Sequence, residues 1–223
     1  MVTVAPRFSR ALIFCNGEFA STDYEEAQAG DLVICADGGL HHALNVGLKP
    51  HVILGDFDSI DADLQRALRE WDCGPKVMEF PREKDKTDGQ LAVEYALDAG
   101  IKDIWLYGSL GHRIDHTLGN LFLAWLCLKR GARLQLVSKG QRVVMLRAPA
   151  RVCITGEKGD YVSLIPLTPT VSGVTATGLY YPLQNDTLHM GETRGLSNEL
   201  VTNCAAIEAT SGVLIVVNSK QGP

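Results

Sequence analysis

The chain has 223 residues, of which 46% are hydrophobic and 21% charged, with a formal net charge of −5. This balance is typical of a globular protein and gives no support for a nucleic-acid partner or an anionic membrane surface. The longest strongly apolar stretch, Leu121–Leu128, is too short to span a bilayer, and the N-terminus lacks the features of a signal peptide. Six cysteines without a CxxC pair favour buried thiols over a disulfide or zinc framework. We therefore expect a cytoplasmic protein that acts on small molecules, with no nucleic acid and no membrane as partner.

Apolar runs alternate with helix-like stretches from Ala11 to about Ser138. The predicted strands are Ala11–Cys15, Leu32–Ala36, His51–Leu54, Lys76–Phe80, Asp103–Tyr107 and Arg133–Val137. The predicted helices are Thr22–Gln28, Leu40–Val46, Ala62–Trp71, Thr87–Ala99 and His116–Arg130. Gly100 and Gly131 follow two of these helices and suit left-handed C-caps. The alternation predicts βαβ units, so residues 1–139 should form an α/β domain with a mostly parallel sheet covered by helices on both faces.

The rhythm changes after about Lys139, where short β-rich runs follow one another without a long helical period. The predicted strands are Val143–Leu146, Val152–Thr155, Tyr161–Pro166, Val171–Thr177, Ala205–Thr210 and Val213–Asn218. Turn residues separate them, as expected for a small all-β sandwich. We therefore predict a second, smaller domain over residues 140–223.

Asp56 and Asp58 stand two residues apart, directly after the predicted buried strand His51–Leu54. Ligands bind beyond the carboxyl ends of the strands in open parallel sheets. Two carboxylates there repel each other unless a cation lies between them, and their hard oxygen atoms favour Mg²⁺, which usually arrives with phosphates. Alternatively, the segment is a loop in which Ser59 or Asp61 caps the next helix. Since capping needs only one acid, the pair favours a metal site.

The segment after the fourth predicted strand mixes both signs of charge. Lys84 and Lys86 can meet phosphate oxygens, whereas Asp85 and Asp88 can meet a metal ion or a ribose. A helix that begins at Thr87 would direct the positive end of its dipole at an anion. The alternative is a solvated loop in which Thr87 or Asp88 only caps that helix.

Glycine-containing segments follow the second and fifth predicted strands. Asp37-Gly38-Gly39 either makes a tight turn into a helix or lets a nucleotide approach the backbone. Residues 108–116 are glycine-rich, then basic, then acidic, which suits a phosphate held by backbone amides and the forked guanidinium of Arg113. Alternatively, Asp115 or Thr117 caps the following helix, and Arg113 pairs with Asp115 at the surface. Four such clusters at one edge of a sheet predict a shared cleft.

Motifs of several other chemistries are missing from the sequence. It contains no GxxxxGK[ST] loop, no GxGxxG after the first strand and no GxSxG elbow. A P-loop kinase, a dinucleotide-binding fold and an α/β-hydrolase are therefore excluded. If the ligand is a nucleoside triphosphate, Mg²⁺ held by carboxylates and the lysines must replace a P-loop.

Two segments of the second half can serve a ligand. Ser197-Asn198 follows a glycine within Arg194–Glu199, where a simple turn is the alternative. Upstream, Tyr180 and Tyr181 offer aromatic faces in a chain with few aromatic residues. They either pack in the interior or, beside amide and hydroxyl groups, suit a flat cationic heterocycle.

Taken in order, these motifs resemble those of the thiamine pyrophosphokinase (thiamine diphosphokinase) family. The matching segments are Ala36–Gly39, Gly55–Ser59, Lys84–Asp88, Gly111–Thr117 and Ser197-Asn198, within a resemblance that extends from Ala11 to Val217. It implies an α/β N-terminal domain, a β-sandwich C-terminal domain and a homodimer with active sites at the subunit interface. It also implies transfer of the terminal pyrophosphoryl group of ATP to the hydroxyl of thiamine, with release of AMP. The chain departs from the family pattern at His112, where the family commonly has a glycine.

The resemblance also implies roles for individual residues. The implied Mg²⁺ ligands are Asp56, Asp58 and Asp88, which form the catalytic set with Arg113. The implied contacts of ATP are Asp37, Lys84, Asp85, Thr87, Arg113 and His116. The implied contacts of thiamine are Asp115, Tyr181, Ser197 and Asn198.

Two other interpretations belong to different classes of protein. In a metal-dependent phosphohydrolase of the haloacid-dehalogenase type, Asp56 would be a nucleophile and a phosphoryl-enzyme intermediate would form. Those enzymes usually carry the acidic motif after their first strand, whereas here it follows the third predicted strand. A non-catalytic module that senses a nucleotide or thiamine would be expected to have lost an acidic metal ligand, and the sequence retains all of them.

Overall fold

The computed structural model of the protein describes residues 8–25, 27–56, 74–111 and 113–221. The chain divides into two compact units, Met1–Lys139 and Gly140–Pro223. The predicted helix Ala62–Trp71 lies outside the described residues, as do Asp58 and His112. Every helix within the described ranges is too short or too polar to span a membrane.

The first unit is built on a parallel sheet. Its strands are β1 (Arg10–Phe14), β2 (Asp31–Ala36), β3 (Val52–Gly55), β4 (Lys76–Glu79), β5 (Asp103–Tyr107) and β6 (Arg133–Ser138). Their spatial order is β6-β5-β1-β2-β3-β4, and each neighbouring pair is parallel. Every residue of β2 is buried, so both faces of the sheet are covered at its centre. The predicted α/β class is confirmed.

Three helices of this unit are described, α1 (Gly39–Asn45), α2 (Asp88–Asp98) and α3 (Ile114–Lys129). α1 contacts β1 and β2, α2 contacts β1, β2 and β3, and α3 packs on β6 and on α2. Gly100 and Gly131 follow α2 and α3 with φ of 82° and 66°, which confirms their predicted left-handed conformation.

The predicted helix Thr22–Gln28 is wrong. Among the described residues of this segment, only the 3-10 turn Ser21–Asp23 forms, and it ends at Tyr24, whose backbone is extended. The reason is that side chains take the backbone N–H groups that a helix would use. The Gln28 N–H donates to the Asp31 carboxylate (2.8 Å), and the Tyr24 hydroxyl accepts from the N–H three residues later (2.7 Å).

The second unit contains two antiparallel sheets, which confirms the predicted all-β class. Its strands are β7 (Gln141–Arg147), β8 (Ala150–Thr155), β9 (Tyr161–Pro166), β10 (Thr170–Thr177), β11 (Leu183–His189), β12 (Asn198–Glu199), β13 (Cys204–Ala209) and β14 (Val213–Ser219). Within this unit the strand orders are β12-β9-β14-β7 and β11-β10-β13-β8. Leu164 and Val216 from one sheet share a buried core with Val174 and Ile207 from the other, as in a sandwich.

The prediction lacked strands β11 and β12. β11 lies at the edge of its sheet, pairs irregularly with β10 and contains Asn185 at φ 53°. Four consecutive polar residues, Gln184–Thr187, interrupt the alternation of apolar and polar residues on which strand prediction depends. β12 has only two residues, too few to show any period.

Candidate functional site

A pocket of about 740 Å³ lies within the first unit, at the carboxyl ends of its strands. It is lined by residues that follow β1, β2, β3 and β5 and by the first turns of α2 and α3. The polar and charged lining residues are Asn16, Glu18, Asp37, Asp56, Arg82, Lys84, Lys86, Thr87, Asp88, Ser109, Arg113, His116, Thr117 and Asn120. The predicted clusters thus share one cleft, as the position of ligand sites in open parallel sheets requires.

Two glycines let the chain after β2 pass very close to the chain of β1. A Cβ on Gly39 would overlap the carbonyl oxygen of Phe14, and a Cβ on Gly38 would lie 2.6 Å from the Asn16 side chain. The positions that a Cβ would take on Gly38 and Gly39 are therefore occupied by the Asn16 side chain and the Phe14 backbone. Internal packing by itself therefore requires both glycines, and the approach of a nucleotide to this segment stays a prediction.

Asp37 and Asp56 are brought together by neighbouring strands. Asp37 has φ 49° and donates its N–H to the carbonyl of Leu54 (2.8 Å). A Cβ on Gly55, the residue before Asp56, would lie 3.1 Å from the Asp37 Cβ. A non-glycine residue in the left-handed region costs free energy and is most often retained near functional sites.

Asp88 adds a third carboxylate from the start of α2. Its Oδ1 lies 3.1 Å from Lys84 Nζ, yet it is buried and accepts no well-aligned hydrogen bond within the described part of the chain. A buried carboxylate oxygen of this kind fits a hard cation such as Mg²⁺. In the described ranges no group of three or more His, Cys, Asp or Glu side chains is close enough to hold a metal, and Asp58 lies outside those ranges.

The basic side of the pocket comes from the segment before α2 and from the start of α3. Arg82, Lys84 and Lys86 line it from one side and Arg113 from the other. Thr87 is the N-cap of α2, and its hydroxyl accepts from the Gln90 N–H (3.2 Å). The capping alternative is therefore correct for Thr87, although this residue also lines the pocket. Asp85 is exposed and is not among the lining residues.

At the start of α3, Arg113 and Asp115 form an exposed ion pair. Arg113 Nε and Nη2 donate to the two carboxylate oxygens at 3.2 and 2.5 Å. This hydrogen bonding holds the pKa of Asp115 below its usual value. The surface-pair alternative is thus what the structure shows, whereas the helix start has no side-chain cap. Arg113 and His116 line the pocket, and Asp115 does not.

Polar residues of the pocket wall that the sequence analysis missed include Asn16, Glu18, Asn120 and, as a lining group, Thr117. Asn16 lies just after β1, as the predicted acids lie just after β2 and β3. Because ligands bind beyond the carboxyl ends of such strands, the same reasoning applied to β1 would have found Asn16. Asn120 lies four residues after His116 on α3, on the same helix face. Cys15 also lines the wall, and burial raises the pKa of its thiol to about 12, so it is a neutral thiol there.

In the second unit, the structure brings Tyr181, Ser197 and Asn198 together. Asn198 is buried, and its Oδ1 accepts from the Tyr181 N–H (3.0 Å) and the Glu199 N–H (2.9 Å). Its Nδ2 donates to the Tyr181 carbonyl (2.7 Å). Tyr180 and Tyr181 stand edge to face, with side chains 63% and 66% exposed. The Asn198 amide therefore holds the Tyr181 backbone, and the tyrosine rings remain accessible to a ligand.

Carboxylates and basic side chains that share a pocket at the carboxyl edge of a parallel sheet are typical of α/β proteins that bind a small ligand at that edge. Comparisons with known proteins identify the family of this chain. The family model for the catalytic domain of thiamin pyrophosphokinase matches residues 24–136, and that for its vitamin B1 binding domain matches residues 151–214. The chain belongs to the thiamin pyrophosphokinase family.

Individual relatives agree over most of the chain. Thiamine pyrophosphokinase of Bacillus subtilis (strain 168) is 32% identical over 188 residues, which are 84% of this chain and 87% of that protein. The crystal structure of thiamine pyrophosphokinase from Bacillus subtilis superposes with a TM-score of 0.86 at 30% identity, covering 96% of this chain and 100% of that one. The structure of thiamin pyrophosphokinase from Geobacillus thermodenitrificans gives a TM-score of 0.82 at 27% identity, over 96% and 98% of the two chains.

Proposed function

We propose that this chain transfers the pyrophosphoryl group of ATP to the hydroxyl of thiamine, giving thiamine diphosphate and AMP, with Mg²⁺ bound in the first unit. Family membership establishes an enzyme that makes thiamine diphosphate. What we propose beyond this is the use of ATP, the binding of Mg²⁺ and the roles of individual residues. The observation that carries it is the single pocket that combines Asp37, Asp56 and Asp88 with four basic side chains.

The carboxylates are the residues that would hold Mg²⁺. We assign Asp56, Asp58 and Asp88 as its ligands, and the buried Asp88 Oδ1 supports this choice. When bound, Mg²⁺ neutralises charge on the phosphate oxygens and on the leaving group. These carboxylates would hold the ion, and by their fixed positions they would help to orient the phosphates for attack.

The basic and hydroxyl groups of the pocket would bind the nucleotide. We assign Asp37, Lys84, Asp85, Thr87, Arg113 and His116 to ATP. Arg113 can supply a forked pair of donors to a phosphate because its ion pair with Asp115 is exposed, and exposed pairs are weak. Arg113 can therefore exchange Asp115 for a phosphate at little cost.

Thiamine would be bound by Asp115, Tyr181 and Ser197, and Asn198 would contribute by holding the Tyr181 backbone. The accessible ring of Tyr181 offers an aromatic face to a flat cationic heterocycle. In the reaction, the thiamine hydroxyl oxygen bonds to the β-phosphorus while the bond to the bridging oxygen of AMP breaks. The hydroxyl proton would pass to a nearby carboxylate, and we assign Asp115, which the proposal places at thiamine, as the acceptor.

We further propose a cytoplasmic homodimer with active sites at the subunit interface. The supporting observation is an exposed apolar stripe on α3, formed by Ile114, Leu118, Phe122 and Trp125. Spacings of four, four and three residues put these side chains on one face of the helix. An apolar patch of this kind marks an interaction surface, and it lies on the helix that also contributes Arg113 and His116 to the pocket.

The test is incubation of the purified protein with ATP, Mg²⁺ and thiamine, followed by separation of the products. Thiamine diphosphate and AMP in equal amounts are the expected result. Thiamine monophosphate with ADP would overturn pyrophosphoryl transfer. A phosphoryl-enzyme intermediate together with free phosphate would instead favour the phosphohydrolase.

A further inference from the structure

Every carbonyl group of one loop in the pocket wall accepts a hydrogen bond from a residue outside that loop. This pocket loop, residues 108–111, follows β5 and lines the pocket along its whole length. Its four successive carbonyl oxygens accept hydrogen bonds from Gly17 N–H (2.8 Å), Asn120 Nδ2 (2.7 Å), Glu18 N–H (3.0 Å) and Thr117 Oγ1 (3.4 Å). Two of the donors are backbone groups after β1, and two are side chains three residues apart on α3.

This arrangement decides which backbone groups an anion meets. In a trans peptide the N–H and the C=O point in opposite directions, so a partner that fixes a carbonyl also fixes the next N–H. Phosphates are bound by backbone N–H groups and repelled by carbonyl oxygens. When the protein bonds to every carbonyl of a loop, the loop presents a fixed surface to a phosphate. A peptide whose carbonyl has lost its partner can instead rotate that carbonyl toward the phosphate.

Asn120 also connects the pocket loop to the other anion-binding segment. Its Oδ1 lies 3.3 Å from the position of a Cβ on Gly89, in the first turn of α2. Its Nδ2 is bonded to the Ser109 carbonyl, and Ser109 is itself anchored by a hydroxyl bond to the Leu106 carbonyl (3.2 Å). The Asn120 side chain therefore lies against both the pocket loop and the first turn of α2.

We propose that Asn120, assisted by Thr117, is a positioning residue for the phosphates of the nucleotide. It contacts neither a metal nor the reacting atoms; it holds the Ser109 peptide in the orientation that the phosphates require. Thr117 does the same for Gly111, whose N–H it accepts (3.3 Å) and to whose carbonyl it donates. This inference rests on the proposed use of ATP.

The test compares Asn120→Leu and Thr117→Val, which remove the hydrogen bonds without adding charge. Isothermal titration with ATP and with AMP, both with Mg²⁺ and without thiamine, measures binding separately from turnover. We expect the Kd for ATP to rise about 10-fold in each variant, the scale of one hydrogen bond, and the Kd for AMP to change less. The KM for ATP should rise accordingly, while the KM for thiamine stays within about 2-fold of its original value.

Asn45→Leu is the matched control, because it makes the same change at an exposed position at the end of α1. Equal losses for ATP and AMP together with a lower Tm would show a purely structural role and overturn the inference. Unchanged ATP binding in both variants would overturn it as well. If the unmodified protein binds no ATP, the proposed function itself fails, and the inference with it.

Discussion

At the scale of single residues, close backbone packing shapes the pocket before any charged group acts. Gly17 and Gly108 allow the chain after β1 to lie close against the chain after β5. A Cβ on Gly17 would lie 2.9 Å from the Leu110 carbonyl oxygen. Gly39 makes the equivalent approach between α1 and β1. The acids and lysines can converge because these crossings leave no room for side chains.

Gly39→Ala should destabilise the protein by about 1–3 kcal/mol, because the new methyl group meets a backbone carbonyl that cannot move aside. Gly119→Ala is the control. Gly119 lies within α3 with nothing near its Cβ position, so alanine there should be neutral or stabilise by up to about 1 kcal/mol. Urea unfolding measures both, and equal stability of the two variants would contradict the packing argument.

Asp56→Asn should lower turnover about 100-fold or more, because a metal ligand contributes several kcal/mol to charge stabilisation in the transition state. Its free energy of unfolding should change little, since Asp56 lies at a pocket wall rather than in the core. Steady-state kinetics over a range of Mg²⁺ concentrations provide the measurement. Asp98→Asn changes an exposed acid at the end of α2 and serves as the control. Near-normal turnover of Asp56→Asn would exclude the metal role.

At the scale of elements, the two-residue strand β12 depends on one amide. Asn198→Ala removes the bonds to both backbone groups of Tyr181 and should destabilise the second unit by about 1–3 kcal/mol. We expect faster hydrogen exchange at the Tyr181 amide and a higher KM for thiamine. In a Tyr181→Ala background the effect of Asn198→Ala on KM should disappear, because Asn198 then has no ring to position.

The control for this cycle is Asn203→Ala, a change at an exposed asparagine beyond β12. Additive effects of Asn198→Ala and Tyr181→Ala on the KM for thiamine would instead indicate that Asn198 contacts the substrate directly. In that case the amide would have to leave the Tyr181 backbone when thiamine binds.

At the scale of the whole molecule, the apolar stripe on α3 predicts self-association. Phe122→Asp should weaken the proposed dimer about 30-fold in Kd, the scale of an interface hot spot, because it places a charge in an apolar contact. Light scattering with size-exclusion chromatography over a range of concentrations gives the measurement. Val77→Asp changes an exposed valine on the edge strand β4 and is the control. A monomer in the unmodified protein would contradict the homodimer.

Much of this architecture could be predicted from local patterns. The strands β1, β2, β3, β5 and β6 are mainly apolar, and each of them lies within one or two residues of its predicted bounds. The polar segments after β2, β3 and β5 converge because parallel strands end at one edge. Prediction failed at Thr22–Gln28, where a local helical pattern loses its N–H groups to the side chains of Tyr24 and Asp31.

The sequence by itself determined the α/β class of the first unit and the all-β class of the second, the types of residue at the strand ends and the resemblance to one family, because these depend on spacing along the chain. The tertiary structure decided which partner each polar group takes. Asn198 bonds to the Tyr181 backbone, Asn120 holds the Ser109 carbonyl, and Gly39 allows the close approach of the Phe14 backbone. Those partners are between 11 and 25 residues apart in sequence. Local spacing carries no information about such contacts, which arise only when the strands pair and the helices pack.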